Sequence, residues 1–560
     1  MKNIDCLFIH TPNLSNFYLP LGQFANNNYI PMGVFPLADL AKCGGFRTEI
    51  IHMGVENFLD VNFSLEEYVV QNRVKLISFS LFWFHQSFDV LDLAMKIKKA
   101  SSDTFIVLGG LTASYYAEEL LTEYWFIDAV NVGYGEVTII PLLNNIINNS
   151  GSLSQVPNLY YRLEGRAINS SLHVIDQALF HELNYTNLNL LRNYSTYVKF
   201  FGLHEMPLKA SLDSLSKDKI MNETIETKMF PLAVGRGCNL QCSYCGGNKN
   251  TCRNLYGEDF LLWRSHEDIL QDIDTVLNYG YTKVFICFDP SRKMQIYYVE
   301  LFQKIRERNK NISMYFECWC LPTKEFIDQF QETFPDKDSH LLVSVDTFSE
   351  HIRKINQINY VTNEDFIEIF DYLEQKNVRF DLCFSIGLPG STIIEDMKTY
   401  EDMKKIKKKY RMLGRLNTFL IDLVPGSSMY EMPEQYGVEV GYRSFKDFYR
   451  EFSDPLHTTY ALCNYKLKNY FNDERDIGTI SDFANKLQLI KCKYFCGINE
   501  MDDPYNGKEG NMKKCVAMRQ DVYDEMGLKI EAEEFDDVHT YSKELEKVRL
   551  QYHMSRMKYK

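Results

Sequence analysis

Three cysteines close together in the chain give the clearest chemical signal of the sequence. Cys238, Cys242 and Cys245 fall within eight residues, follow an apolar run that starts at Pro231, and stand among four glycines. Thiolates on a glycine-rich loop can wrap an iron–sulfur cluster and leave one iron without a protein ligand. An open coordination position lets a metal centre act on a bound small molecule. The spacing therefore predicts a [4Fe-4S] cluster with a catalytic role, ligated by these three cysteines.

Two other kinds of metal site also use neighbouring cysteines. One is a structural zinc site with Cys252 as its fourth ligand, and the other is a ferredoxin-like cluster whose irons are all bound by protein. Zinc sites usually consist of paired Cys-x2-Cys elements, whereas here the first spacing is three residues and no second pair lies nearby. The spacing favours the open cluster and leaves zinc as the alternative.

Composition narrows the class of protein. The chain has 560 residues, enough for about three or more domains, and 45% of them are hydrophobic, enough to fill their cores. A formal net charge of −14 argues against nucleic acid as the main partner, because such proteins usually carry a basic surface. The apolar runs are too short to span a bilayer and the N-terminus reads as a strand, so we expect a cytoplasmic protein without a membrane partner. Fourteen cysteines then suggest reduced thiols, some of them ligands.

Residues 1–150 alternate short apolar runs with helical patterns. This order is typical of an α/β domain with a parallel sheet, here of the Rossmann-like or flavodoxin-like type. Glycines follow two of the strands, at Gly109–Gly110 and Gly133–Gly135, where open α/β sheets bind ligands. The predicted strands are Cys6–His10, Glu49–His52, Leu76–Leu81, Phe105–Leu108 and Ala129–Val132. Residues 151–229 are predicted to form a linker with a short hairpin around Leu163–Arg166.

A second β/α series runs from residue 230 to 440. Ser265 and Thr362 each precede a helical pattern and have an aspartate three residues later, which is a capping-box signature. The alternation predicts a partial (β/α)6 TIM-type barrel with its active site at the carboxyl ends of the strands. Its predicted strands are Lys283–Phe288, Ser313–Cys318, Leu341–Val345, Arg379–Ile386 and Thr418–Val424. Residues 441–560 are predicted to be mainly helical, to cover the barrel mouth and to select the substrate.

The cysteine motif resembles the signature of radical S-adenosylmethionine (SAM) enzymes. The spacing C-x3-C-x2-C, with the aromatic Tyr244 before the last cysteine, matches that signature. The resemblance implies that the fourth iron chelates the amino and carboxylate groups of SAM. It also implies that one-electron reduction, by a flavodoxin- or ferredoxin-type partner, cleaves the C5′–S bond and releases a 5′-deoxyadenosyl radical.

Further segments resemble the SAM contacts of that family, each near a strand end. Asp289 follows the second strand, where the family contacts the methionine end of SAM, and Ser344 and Asp346 end the fourth strand, which contacts the ribose. Each of these residues, taken alone, also has an ordinary structural alternative: Asp346 as a helix cap and Gly387 as a turn residue. The implied SAM-binding residues are Tyr244, Asp289, Ser344, Asp346, Arg353, Ser385 and Gly387.

The first 150 residues resemble the cobalamin-binding domain that precedes the barrel in one large branch of this superfamily. The match includes Pro31–Gly33, Gly109–Gly110 and Gly133–Glu136, where Tyr134 replaces the first glutamate of the family's Gly-Glu-Gly-Glu. The implied cobalamin-binding residues are Ser80, Gly109, Gly110, Gly133, Gly135 and Glu136. The alternative is a flavodoxin-like domain that binds no cofactor.

The sequence lacks Asp-x-His-x-x-Gly, the motif that places a histidine on cobalt in other cobalamin proteins. The resemblance therefore implies a cobalt whose lower face is vacant or holds water. His10 ends the first predicted strand, but a lone histidine there is more often a hydrogen-bonded structural residue than a ligand.

Together the two resemblances imply methyl transfer. One SAM molecule would supply a methyl group through cobalamin, and a second would supply the radical that abstracts hydrogen from an unactivated carbon of a metabolite or peptide. A second hypothesis keeps cobalamin but predicts cyclisation or rearrangement without methyl transfer. A third, from another class, is a binding or sensor protein stabilised by zinc. Cys492, Cys496 and Cys515 are expected to be packing residues, with an auxiliary cluster or a substrate contact as the alternative.

Overall fold

Two large β-sheets, each with helices packed beside its strands, dominate the described part of the chain. The computed structural model describes residues 2–12, 30–60, 62–200, 229–257, 261–358, 360–421, 423–453 and 465–467. The first sheet has seven strands and the second has six. The predicted linker around 211–227, the three cysteines Cys492, Cys496 and Cys515, and nearly all of the predicted C-terminal region lie outside the described residues.

The first sheet has the order β2-β1-β3-β4-β5-β6-β7, and its first five strands run parallel. The strands are β1 (Cys6–His10), β2 (Thr48–His52), β3 (Leu76–Ser80), β4 (Phe105–Gly109), β5 (Ala129–Asn131), β6 (Leu159–Leu163) and β7 (Arg166–Asn169). Alternate residues of β1 enter two separate hydrophobic cores, one on each face of the sheet. The helices that build these cores are Val34–Cys43, Met53–Leu59, Leu65–Gln71, Ser87–Ala100, Leu111–Tyr115, Ala117–Glu123 and Ile139–Asn148. This topology confirms the predicted flavodoxin-like α/β fold.

The predicted hairpin is present and extends the first sheet. Strand β6 pairs antiparallel with β5 on one side and with β7 on the other. Glu164 and Gly165 form the turn with φ values of 49° and 80°, as a tight hairpin with the right-handed twist of its strands requires. This part of the segment predicted as a linker therefore belongs to a sheet. The helices Gln177–Glu182 and Tyr194–Phe200 follow it.

The second sheet is a partial barrel of six parallel strands in the order β15-β14-β13-β12-β11-β8. Its strands are β8 (Met229–Pro231), β11 (Lys283–Ile286), β12 (Ser313–Cys318), β13 (His340–Asp346), β14 (Phe380–Ile386) and β15 (Leu413–Leu420). Its helices are His266–Asn278, Gln295–Glu307, Lys324–Thr333, Glu350–Ile355, Asn363–Gln375 and Ile393–Lys409. Both predicted capping boxes form, at Ser265 and at Thr362. The predicted (β/α)6 architecture is confirmed.

One strand lies elsewhere than predicted. The sequence indicates a strand at Thr418–Val424, whereas β15 spans Leu413–Leu420. Its first residues include Gly414, and a Cβ at that glycine would lie 2.4 Å from Asp381 Oδ1 on the neighbouring strand. The Asp381 carboxylate occupies the position that a Cβ would need and so favours glycine there, and the glycine and the polar residues after it conceal the apolar period in the sequence.

The concave face of the barrel carries a small apolar cluster, which we call the apolar floor. Met229, Phe285, Tyr315 and Leu342 form a cluster separate from the main core, which is filled by the alternate residues of the same strands. This alternation is expected of a closed or partly closed barrel. The carboxyl ends of the strands lie beyond this cluster.

Smaller elements join the two sheets. Strand β9 (Gly235–Gly237) pairs antiparallel with β10 (Leu261–Trp263), and β16 (Val438–Val440) pairs antiparallel with β17 (Tyr465–Leu467). The helices Lys249–Tyr256 and Ser428–Glu431 lie near the strand ends of the barrel. The helix Phe445–Ser453 packs on the first domain, with the Phe448 and Phe84 rings 4.9 Å apart. Among the described helices, none is both long enough and apolar enough to cross a membrane.

Candidate active site

The three cysteines lie on a loop between β9 and the helix Lys249–Tyr256. The Cys245 N–H donates to the Cys242 carbonyl oxygen at 3.1 Å, which closes a turn between two of the thiols. The Asn248 amide donates to the same carbonyl at 2.8 Å, and its oxygen caps the helix through the Thr251 N–H. We call residues 238–248 the cysteine loop. These hydrogen bonds fix the backbone of the loop between Cys242 and Asn248.

The thiols have the surroundings of cluster ligands. Backbone N–H groups donate to sulfur from Leu240 to Cys238 at 3.3 Å and from Gly247 to Cys245 at 3.4 Å. Burial raises the pKa of the Cys238 thiol to about 12, whereas the Leu240 N–H lowers it. Such N–H donors favour the thiolate and tune cluster potentials. The donor set therefore fits an iron–sulfur cluster.

The zinc alternative is less well supported by the geometry. Cys252, its proposed fourth ligand, lies in the helix after the loop, and its thiol contacts the Gly247 carbonyl oxygen at 3.7 Å. Within the described ranges, no three or more His, Cys, Asp or Glu side chains converge on the position of a single ion. In a cubane cluster each thiolate binds a different iron, so thiols spaced apart on a loop fit it better.

Asn356 ties the cysteine loop to the barrel, a role that the sequence did not indicate. Its side chain accepts a hydrogen bond from Ser243 Oγ at 2.6 Å, and its backbone carbonyl accepts from the Ser243 N–H at 2.9 Å. Its amide nitrogen donates to the Pro389 carbonyl oxygen at 2.8 Å, in the loop after β14. Asn356 is fully buried. It therefore connects the cysteine loop with the loop after β14, which contains the predicted SAM residue Gly387.

Three of the predicted SAM residues meet at one carboxyl group. Asp346 accepts hydrogen bonds from Ser385 Oγ at 2.7 Å and from the Tyr244 hydroxyl at 3.1 Å. Burial raises the pKa of Asp346, whereas the hydrogen bonds from Ser385 and Tyr244 lower it. Asp346 has a φ of 61° and lies at a β-bulge that begins at Ser344. The bulge turns the strand end so that residues from β13, β14 and the cysteine loop converge.

Two other predicted SAM residues support loops. Gly387 has a φ of 75°, and its N–H donates to the Asp396 carboxylate at 3.2 Å. The same carboxylate accepts from Ser391 Oγ at 2.8 Å, so Asp396 holds both ends of the loop after β14. Arg353 is buried and donates to the carbonyl oxygens of Thr347 and Val361. Its guanidinium therefore braces the segment after β13.

Asp289 is a buried carboxyl group at the end of β11. Its Oδ2 accepts from the Cys320 N–H at 2.8 Å, while Oδ1 has no partner at normal hydrogen-bond distance among the described residues. Burial raises the pKa of Asp289 to about 7, whereas hydrogen bonds from the Cys320 N–H, the Gln295 side chain and the Trp319 N–H lower it. A buried oxygen without a donor at normal hydrogen-bond distance requires an explanation. A ligand ammonium or hydroxyl group supplies one, as expected at the methionine end of SAM.

Glu317 and Cys287 lie on the concave side of the barrel, two residues beyond Tyr315 and Phe285, and sequence reasoning missed both. The Trp319 indole N–H donates to Glu317 Oε1 at 3.2 Å, and the Cys287 thiol hydrogen-bonds to the same carboxylate. Burial raises the pKa of Glu317. The only sequence signal was a glutamate inside an otherwise apolar strand.

The carboxyl edge of the first sheet is open at Gly109. A Cβ at Gly109 would meet nothing within 4 Å, and Ser80 lies opposite it on β3. Gly110 has a φ of 110°, and a Cβ there would lie 2.7 Å from the Leu81 carbonyl oxygen. Gly110 thus lets two loops close on each other, while Gly109 leaves a flat surface beside them. This edge fits a large planar cofactor.

The other predicted cobalamin residues contact protein. A Cβ at Gly133 would lie 3.1 Å from the Tyr256 ring, and one at Gly135 would lie 2.8 Å from Asn131 Oδ1. Glu136 is buried and forms an ion pair with Arg236. His10 is also buried, with its ring 5.0 Å from that of His52.

The carboxyl edges of the two sheets face each other. The Tyr116 and Tyr430 hydroxyls lie 2.9 Å apart, between the loop after β4 and the loop after β15. A Cβ at Gly426 would lie 3.3 Å from the Tyr115 ring. The Phe445 N–H donates to Glu119 at 2.8 Å. Both candidate cofactor sites therefore open toward the same interface.

Comparison with known proteins agrees with this arrangement. Residues 232–428 match the radical SAM superfamily model, and residues 21–143 match the B12 binding domain model. Comparison with curated protein sequences yields no match.

Three solved structures share the fold at 12–14% identity. The radical SAM methyltransferase TsrM from Kitasatospora setae, with cobalamin and a [4Fe-4S] cluster bound, has a TM-score of 0.63 and 13% identity over 94% of this chain and 100% of its own. The same enzyme with tryptophan and a SAM analogue bound has a TM-score of 0.58 and 14% identity over 92% and 88%. The cobalamin-dependent radical SAM enzyme OxsB has a TM-score of 0.51 and 12% identity over 98% and 72%. The chain therefore contains a radical SAM domain preceded by a B12-binding domain.

Proposed function

We propose that this protein is a cobalamin-dependent radical SAM methyltransferase that methylates an unactivated carbon of a small metabolite or peptide. The observation that supports this best is the facing of the two carboxyl edges, because it directs both candidate cofactor sites at one chamber. When bound, the cluster with SAM supplies a 5′-deoxyadenosyl radical and cobalamin supplies a methyl group. A flavodoxin- or ferredoxin-type protein is the proposed electron donor.

In this proposal the residues of the chain hold and orient the cofactors. Cys238, Cys242 and Cys245 bind three irons of the cluster. Asp289 accepts a hydrogen bond from the methionine end of SAM through its unpartnered Oδ1. Asp346, fixed by Ser385 and Tyr244, presents its carboxylate to the ribose, which carries two hydroxyl donors.

The remaining cofactor and substrate contacts follow from the strand ends. Gly109 gives the corrin ring a surface without side chains. The apolar floor at Met229, Phe285, Tyr315 and Leu342 keeps water away from a reactive carbon radical. Glu317 and Cys287 are polar groups that a substrate in the chamber would meet. The proposed substrate is small enough to enter between the two sheets.

Methyl transfer is tested with SAM that carries a trideuterated methyl group. Anaerobically reconstituted protein with cobalamin and a low-potential reductant is incubated with metabolite extract and with candidate peptides. We expect a product heavier than its substrate by one labelled methyl group, together with 5′-deoxyadenosine. The Cys242→Ala variant, which loses a cluster ligand, serves as the control and should form neither.

The same experiment separates the other hypotheses. A new product without the label, formed with 5′-deoxyadenosine, indicates cyclisation or rearrangement and contradicts methyl transfer. Protein that cleaves no SAM under any reducing condition contradicts radical chemistry altogether.

A further inference from the structure

We propose that the loop Val132–Glu136 of the B12-binding domain locks the cysteine loop in place, with the Glu136–Arg236 ion pair as its central contact. We call this segment the docking loop. Its role is to position the cluster site relative to the cobalamin site. The inference rests on the proposed function, in which both cofactors act together.

The ion pair is short and protected from solvent. Arg236 Nη2 lies 2.7 Å from Glu136 Oε1, and only 3% of the glutamate side chain and 26% of the arginine side chain are exposed. Arg236 lies in β9, two residues before Cys238. Its guanidinium also stacks near the Tyr134 and Phe180 rings, at 5.6 and 5.5 Å from their centroids. A planar, always charged group between two rings has little freedom to move.

The docking loop also contacts the other side of the cysteine loop. Gly133 approaches the Tyr256 ring so closely that a Cβ would lie 3.1 Å from it, and the Tyr134 and Tyr256 rings lie 5.8 Å apart. Tyr256 ends the helix that follows Cys245. The two flanks of the cysteine loop are thus both held by three residues of the docking loop, Gly133, Tyr134 and Glu136.

A second set of contacts connects the docking loop to the candidate cobalamin edge. The Gly133 N–H donates to Ser114 Oγ at 3.2 Å. The Ser114 N–H in turn donates to the Gly110 carbonyl oxygen at 2.9 Å. Gly110 follows directly on Gly109, the open position at the end of β4. The candidate cobalamin edge and the cysteine loop are therefore joined by two short links through the docking loop.

The first domain contains a matched ion pair that serves as a control. Glu56 and Arg192 lie 3.0 Å apart, with 3% and 34% of their side chains exposed. This pair resembles Glu136 and Arg236 in residue types and in burial of the glutamate, but both of its residues belong to the first sheet and its connections. If the Glu136–Arg236 pair only stabilised the fold, replacing the glutamate by glutamine should have the same effect in both ion pairs.

The test compares Glu136→Gln with Glu56→Gln in full-length protein reconstituted with the cluster and loaded with cob(II)alamin. The readout is the magnetic interaction between cob(II)alamin and the reduced cluster in electron paramagnetic resonance spectra. We expect the wild type and Glu56→Gln to show the same interaction. Glu136→Gln should show a weaker or heterogeneous one at unchanged iron and corrinoid content. Methyl transferred per SAM cleaved should fall several-fold in Glu136→Gln alone.

Several outcomes overturn the proposal. These are no interaction in the wild type, an unchanged interaction in Glu136→Gln, and equal losses in both variants. If Glu136→Gln does not fold, Arg236→Lys keeps the charge and should give the same weakened interaction, while unchanged spectra contradict positioning. A wild type that shows the interaction but makes no methylated product disproves the proposed function and leaves the docking loop supported.

Discussion

Buried polar groups at the strand ends define the chemistry available to this protein. Asp289 keeps one carboxyl oxygen without a partner at normal hydrogen-bond distance among the described residues, and Asp346 is held by two hydroxyls that come from distant parts of the chain. Ligand donors that complete their hydrogen bonds would offset the cost of burying them.

Removal of a single thiol tests the ligand set. Cys238→Ala should lower the iron content of reconstituted protein from about four atoms per chain to less than about one, because two thiolates hold a cubane poorly. Iron and sulfide analysis with the visible absorption spectrum provides the measurement. Cys252→Ala is the matched control and should retain full iron content, since its thiol contacts a backbone carbonyl. Equal loss in both variants would contradict the assignment of ligands.

The raised pKa of Asp289 predicts a pH dependence of stability. The folded state keeps this carboxyl protonated up to about pH 7, whereas the unfolded chain ionises it near 3.8, so the folded state binds more protons between these values. The free energy of unfolding of the cofactor-free protein should therefore fall as pH rises through this window, by about 2–3 kcal/mol between about pH 5 and 7. Urea unfolding measures it.

Asp289→Asn is the comparison for that measurement, because the amide stays neutral at every pH. The difference in free energy of unfolding between variant and wild type should change with pH by the same amount. A constant difference would show that Asp289 is ionised throughout.

The chemistry of single residues could be predicted where the pattern is local. The three cysteines fall within eight residues, so their spacing is visible in the sequence and a role as ligands could be predicted from it. Asn356, Asp396 and Glu317 act through partners on other strands, up to 113 residues away in the case of Asn356 and Ser243. No pattern in the sequence reports such contacts.

Strands and loops form the next level, and here backbone conformation decides which positions face a ligand. Gly109 and Gly110 are adjacent glycines, but their surroundings differ. The first faces open space, while the second has a φ that side chains rarely adopt and a backbone carbonyl at its Cβ position.

These two glycines give a paired prediction. Gly110→Ala should lower the free energy of unfolding by about 1–3 kcal/mol, because the backbone must move or become strained. Gly109→Ala should leave the stability nearly unchanged yet weaken hydroxocobalamin binding by about tenfold, about 1.4 kcal/mol of lost contact. Thermal unfolding and spectrophotometric titration measure the two effects. Unchanged cobalamin affinity in Gly109→Ala would contradict the position of the corrin.

Asn356, which connects the cysteine loop to the loop after β14, gives a second prediction at this level. Asn356→Ala removes the hydrogen bonds to Ser243 and Pro389 and leaves their buried groups without partners, at a cost of about 2–4 kcal/mol. SAM affinity should fall with it, because the cysteine loop and the loop after β14 lose their common anchor. Equilibrium dialysis with SAM on reconstituted protein tests this, and full affinity in a folded variant would contradict the anchor.

Most strands could be predicted from the sequence, since buried parallel strands are continuous apolar runs. The predicted span Ser313–Cys318 matches β12, and Cys6–His10 matches β1. The sixth barrel strand was predicted at the wrong place because Gly414 and its polar neighbours begin it. Glycine is favoured there because of its contact with Asp381. A requirement set by a neighbouring strand is invisible in one sequence.

At the scale of the whole molecule, the carboxyl edges of the two sheets face each other. Gly133 and Glu136 show which part of this level the sequence did not reveal. The cobalamin contacts suggested by their motif stay a prediction, and the structure adds contacts of Gly133 with Tyr256 and of Glu136 with Arg236. Contacts between domains depend on the relative orientation of two folded units, which local patterns do not encode.

The most direct test of the central claim is the cofactor content of protein purified without oxygen after growth with iron and hydroxocobalamin. A cobalamin-dependent radical SAM protein should contain about four irons, about four sulfides and about one corrinoid per chain, and it should form 5′-deoxyadenosine on reduction with SAM. One zinc per chain with neither iron nor corrinoid would contradict that claim.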